Sequence, residues 1–81
     1  MKLDVRLFAT LKERVGAAQV SIEINESATV NDLLNEIFRQ YPNVQAHHRS
    51  ILVAVNQEYA GPSQRLHPRD EIAIFPPVSG G

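Results

Sequence analysis

The residues with most to offer chemically are the last two, Gly80 and Gly81. Glycine loses more conformational freedom on ordering than any other residue and brings no side chain to bury, so a Gly-Gly end contributes little to a fold. It suits a tail that enters a narrow pocket and presents its α-carboxylate there, because a Cβ would obstruct the approach. The chemistry is then acyl chemistry at the Gly81 carboxyl carbon. A frayed end or a cloning scar is the bland alternative. Against it, the sequence runs from an apolar stretch through Pro76-Pro77 straight into Val78-Ser79-Gly80-Gly81.

Nothing else in the sequence competes for that role. There is no cysteine, which excludes disulfides, a thiol nucleophile, and cysteine-held zinc or iron–sulfur clusters. Any acyl or sulfur group must therefore be carried elsewhere than on a side-chain thiol. His47 and His48 are adjacent in a polar run and His67 is isolated; without cysteine or a helical i, i+4 spacing they read as surface histidines, not metal ligands. Arg6, Arg14, Arg39, Arg49, Arg65 and Arg69 are scattered and the formal net charge is −1, so no nucleic-acid surface is expected.

The tail needs a base to leave from. At 81 residues the chain is one domain, divided here into residues 1–75 and an extended tail over 76–81. Pro76 and Pro77 fix φ and favour a stiff extended start, which lowers the ordering cost of docking. From Pro76 to Gly81 the tail reaches about 20 Å at ~3.3 Å per residue. A 43% hydrophobic share and a 21% charged share are those of a soluble globular protein. No apolar run is long enough to span a bilayer and Met1-Lys2-Leu3-Asp4 is no signal peptide, so no membrane partner and a cytoplasmic location are expected.

Periodicity supplies the elements. Lys2 to Ala9 alternates, with Leu3, Val5 and Leu7 on one face and Lys2, Asp4, Arg6 and Phe8 on the other: a strand with one buried face. Thr10 and Glu13 have the spacing of a capping box, and Gly16 ends the short helical turn they open. Val20, Ile22 and Ile24 point inward from a second strand paired with the first. Val30, Leu33, Leu34, Ile37, Phe38 and Tyr41 make one apolar face of a helix capped by Thr29, with Asp32 in its first turn and Pro42 at its end. Asn43 to Ser50 reads as loop. Ile51 to Val55 is a short central strand, Asn56-Gln57 a turn, Glu58-Tyr59-Ala60 a brief edge strand, and Leu66 the anchor of a connection. Glu71 to Phe75 is the last strand, with Ile72 and Ile74 inward and Ala73 and Phe75 outward. One long helix crossing a small mixed sheet, by a right-handed crossover between the second and third strands, buries these faces economically. That α+β plan is the ubiquitin-like β-grasp.

On that plan the first and last strands are neighbours. Phe8 and Phe75 then adjoin on the sheet face away from the helix, with Ala73 beside them and Tyr59 at the border. An apolar patch next to a functional tail reads as a docking surface, although isolated exposed aromatics are ordinary.

The chain resembles the small subunits of molybdopterin synthase, the MoaD-type sulfur carriers. The resemblance runs through Leu7-Phe8-Ala9, Leu11-Lys12-Glu13 with Gly16, Thr29-Val30 and Leu33-Leu34. It is stronger in Val53-Ala54-Val55-Asn56 and Asp70-Glu71-Ile72-Ala73, and most specific in Phe75-Pro76-Pro77-Val78-Ser79-Gly80-Gly81. One departure is Arg69, where the family commonly has glycine; glycine suits a turn with positive φ, so either the turn is shifted or Arg69 is strained.

The resemblance implies a carrier with no bound cofactor, working in a heterotetramer with the large synthase subunit. A ubiquitin-activating-like adenylyltransferase would use ATP to form the glycyl adenylate at Gly81. A sulfur donor protein, acting through that enzyme, would convert it to a thiocarboxylate. The large subunit would hold the pterin precursor while sulfur is delivered to build the dithiolene of molybdopterin. Gly80 and Gly81 would carry the chemistry; Phe8, Tyr59, Phe75, Pro76, Pro77, Val78 and Ser79 would contact partners. Two alternatives share the fold: a thiazole-pathway sulfur carrier or ubiquitin-like protein modifier, and a binding-only β-grasp module that needs no Gly-Gly.

Overall fold

The alternation in Lys2–Leu7 becomes strand β1, and that in Gln19–Glu23 becomes β2. They pair antiparallel, with Leu3 opposite Ile22 and Val5 opposite Val20, so both inward rows lie on one face. The computed structural model describes residues 1–47 and 51–76. Within them follow β3 (Leu52–Val55), β4 (Glu58–Tyr59) and β5 (Ile72–Phe75). The sheet order is β2-β1-β5-β3-β4. β5 runs parallel to β1 and antiparallel to β3, which makes the sheet mixed.

Helix α2 (Val30–Gln40) lies on one face of this sheet. Its start is fixed by a capping box: the Asp32 N–H donates to Thr29 Oγ1 at 3.3 Å, and the Thr29 N–H donates to Asp32 Oδ2 at 2.9 Å. Val30, Leu33 and Ile37 are fully buried against Leu3, Val5, Ile22, Ile72 and Ile74. Leu34, Phe38 and Tyr41, on the same apolar stripe, are only half-buried at its margin. The α2 connection links β2 to β3, and these strands are not sheet neighbours: β1 and β5 lie between them. The helix thus covers the two central strands, which is what buries the core. Leu66 anchors the last long connection as expected, fully buried, with its N–H donating to the Ala28 carbonyl at 2.9 Å.

Two local expectations are corrected. Helix α1 spans Ala9–Val15, and Thr10 lies inside it rather than capping it. Phe8 occupies the N-cap with no side-chain hydrogen bond. The chain turns at Ala9 (φ 51°), so the cap falls two residues sooner than Thr10, and Leu11 reaches the core, where it is fully buried. Gly16 closes the helix at φ 86°, its N–H donating to the Lys12 carbonyl. The stretch after Pro42 is not plain loop either. Pro42–His47 forms a 3₁₀ helix, with Pro42 opening it and Val44 fully buried. A lone valine in a polar run was too weak a periodic signal to show this. No helix among the described residues is long and apolar enough to cross a membrane.

Candidate functional site

The face opposite α2 carries every described residue that the sequence singled out. Strand pairing sets it in rows. One row is Arg6, Ala73, Ala54 and Tyr59, since Arg6 pairs with Ala73, Ala73 with Ala54 and Ala54 with Tyr59. The next row holds Phe75 opposite Leu52, with Phe8 on the other side of Phe75. The Phe8 and Phe75 rings stack with centroids 4.7 Å apart and planes 13° from parallel, within the offset-stacked range for aromatic pairs.

Exposure separates the roles of these residues. Phe8 is 39% exposed and Tyr59 77% exposed. Phe75 and Ala73 are half-buried, so Phe75 is both a packing partner and an accessible surface. Leu52 is 39% exposed, an aliphatic side chain left open to water beside the aromatic pair. Leu52 and Ala54 belong to the face and were not singled out from the sequence. The signal was present: they are the outward positions of an apolar strand whose inward positions are Val53 and Val55. A shallow concavity of about 360 Å³ lies on this face, floored by Ala54 and Ala73 and walled by Phe8, Phe75 and Tyr59.

Pro76 follows β5 directly and is half-buried at the edge of the aromatic row. The tail therefore starts beside the apolar patch, at the end where Phe8, Phe75 and Leu52 lie. Pro77, Val78, Ser79, Gly80 and Gly81 lie outside the described residues, as do His48 and the side chain of His47.

The turns that hold this face are built with strained backbone. Asn56 (φ 53°) and Gln57 (φ 71°) make a two-residue hairpin between β3 and β4 with both residues left-handed. Asn56 is pinned from its side chain: Nδ2 donates to Asp70 Oδ1 at 3.0 Å, and Oδ1 accepts the Glu71 N–H at 2.9 Å. Asp70 Oδ2 also accepts the His67 N–H at 2.7 Å. Arg69 sits in this second turn at φ 74°. The turn is thus kept in the conformation that favours glycine, and Arg69 bears the strain. Asp70 is occupied inside the fold, while Glu71 remains exposed on the outer face. Among the described residues no group of three or more His, Asp or Glu side chains could hold a metal ion.

Comparison with known proteins fits this geometry. The ThiS family profile matches residues 5–81. The molybdopterin synthase sulfur carrier subunit of Dictyostelium discoideum is 40% identical over 84 residues, covering 99% of this chain and 96% of that protein. The protein of the same name from Chlamydomonas reinhardtii is 35% identical over 83 residues, covering all of both. Among solved structures, SAMP1 from Haloferax volcanii superposes with a TM-score of 0.86 at 32% identity over the full length of both chains. The fold is the ubiquitin-like β-grasp, and the chain belongs to the ThiS family.

Proposed function

We propose that this chain is the sulfur carrier subunit of molybdopterin synthase, with the Gly81 carboxyl as the carrying group. The observation that carries the reading is full-length similarity to carriers of that name, together with the Phe75-Pro76-Pro77-Val78-Ser79-Gly80-Gly81 motif. The apolar face beside Pro76 supports it, because a tail delivered into a partner needs a docking surface where it leaves the domain.

A carboxylate is a poor electrophile and must be activated. A carboxylate oxygen of Gly81 attacks the α-phosphate of ATP in the adenylyltransferase, and pyrophosphate leaves. A persulfide sulfur of the donor then attacks the acyl carbon and expels AMP, giving an acyl disulfide. A second thiol cleaves it and leaves the thiocarboxylate. Both thiols belong to partners, since this chain has no cysteine. The thiocarboxylate is ionised at neutral pH and its soft sulfur is a good nucleophile toward the pterin precursor held by the large subunit. The chain itself acts as carrier and co-substrate, working in the cytoplasm.

The test is the intact mass of the chain after incubation with adenylyltransferase, ATP and a sulfur donor. The expected gain is that of one oxygen exchanged for sulfur, and Gly81→Ala should show none or fail to pass the sulfur on. A second reading, a protein modifier, is favoured by the close superposition on the archaeal modifier SAMP1. It shares the adenylate and differs in its product. Abundant lysines linked to the chain through Gly81, with no thiocarboxylate form in cells, would replace the carrier reading.

A further inference from the structure

Arg6 is the one charged residue in the row that floors the docking face. It lies between the apolar part of the sheet, made by β5, β3 and β4, and the polar part made by β1 and β2, and it lines the concavities on both. Its neighbours in the pairing are Ala73 on one side and Gln19 on the other, neither of which can neutralise it. The nearby carboxylates are engaged or apart. Asp4 accepts from Ser21 Oγ at 2.8 Å and Asp70 is held by Asn56. Glu71 lines the same concavity yet makes no ion pair with Arg6, and among the described residues no hydrogen bond or ion pair holds the Arg6 guanidinium.

A free guanidinium beside a stacked aromatic pair divides the work of docking. The apolar contacts of Phe8, Phe75 and Leu52 are non-directional and supply affinity without fixing how a partner sits. A guanidinium has fixed fork geometry and accepts a carboxylate in one orientation. We infer that Arg6 is the specificity-determining residue of this face: it pairs with a carboxylate that the large synthase subunit presents next to an apolar side chain seated on Ala54 and Ala73. The inference rests on the carrier reading for the identity of the partner. Charge complementarity at the boundary of an apolar patch steers encounter and excludes partners with a cation at that place.

The experiment compares Arg6→Glu, Arg6→Lys and Phe75→Ala with the parent chain in binding to the large synthase subunit of the same organism. Titrations are run at ~0.05 M and ~0.5 M salt, where screening lengths differ about threefold. Arg6→Glu should weaken binding by about tenfold or more at low salt, with most of the deficit gone at high salt. Arg6→Lys should fall between Arg6→Glu and the parent. Phe75→Ala should weaken binding similarly at both salt concentrations. Melting curves of all three establish that they are folded. Parent-like binding by Arg6→Glu alongside a loss for Phe75→Ala overturns the assignment to Arg6 and leaves the docking face intact. Parent-like binding by both variants overturns the docking face itself.

Discussion

Phe75 makes two kinds of contact at once. One ring face stacks on Phe8 and the residue remains half-exposed beside the tail. Truncation to alanine should therefore weaken docking to the large subunit by about 1–3 kcal/mol, the range for an aromatic anchor at an interface centre. It should cost less stability than Leu33→Ala, where a fully buried side chain is removed at roughly 2–5 kcal/mol. Calorimetric titration and melting curves on both variants check the order; a Phe75 variant that binds normally but melts early would place the ring in the core. Elsewhere on the surface, Glu36 is held at a pKa of about 2, down from 4.5, first by a hydrogen bond from Arg39 and then by one from Gln40. A depressed carboxyl pKa favours the folded state above the unfolded value and loses that contribution as pH falls through the folded one. The Glu36 contribution is complete above about pH 4.5 and fades toward pH 2. Glu36→Gln should therefore flatten part of the acid limb of stability in that window, measured as unfolding midpoint against pH. The site is exposed, so added salt should shrink the difference.

At the scale of elements, the proposed docking face depends on two turns that work against their residues. The hairpin after β3 asks for positive φ at Asn56 and Gln57, and only Asn is suited to it. Gln57→Gly should stabilise the protein by about 0.5–1 kcal/mol by removing the steric penalty at that position. Chemical denaturation with an unchanged slope would register it. No gain, or a loss, would mean that the side chain of Gln57 contributes more on this face than its backbone costs. The side-chain bonds from Asn56 to Asp70 and Glu71 explain how the strain is tolerated, because they tie this hairpin to the turn before β5. Both turns flank strands that supply the apolar rows, so their order is transmitted to Ala54, Tyr59, Ala73 and Phe75.

For the whole molecule, the described core and the proposed carrying group, Gly81, are separate parts of the chain. The buried apolar residues described all fall between Leu3 and Ile74. A chain ending at Pro76 should therefore melt within a degree or two of the full chain, yet accept no sulfur in the adenylation reaction. A large loss of stability on truncation would mean that the tail packs on the domain, and sulfur loading of the truncated chain would refute Gly81 as the carrying group. On the proposed carrier reading the separation has a functional logic: the domain stays the same while the tail is presented to two partners in turn.

Several features were legible in the sequence alone. Period-two alternation in β1, β2 and β5 and the period-3.6 stripe of α2 identified the elements, because burial on one face leaves a pattern that survives any particular packing. The Thr29 N-cap and the Gly16 stop were readable because they are local chemistry. The Phe8–Phe75 contact was readable once the first and last strands were placed side by side. What only tertiary structure decided depends on contacts between distant residues. The pull of buried Leu11 moved the N-cap of α1 from Thr10 to Phe8, and the burial of Val44 made a 3₁₀ helix where polarity suggested loop. Sheet order put Leu52 and Ala54 into the proposed docking face and left Arg6, among the described residues, without an ion pair at its boundary. A sequence records which residues prefer to be inside; which outward residues become neighbours is set by strand pairing across the sheet.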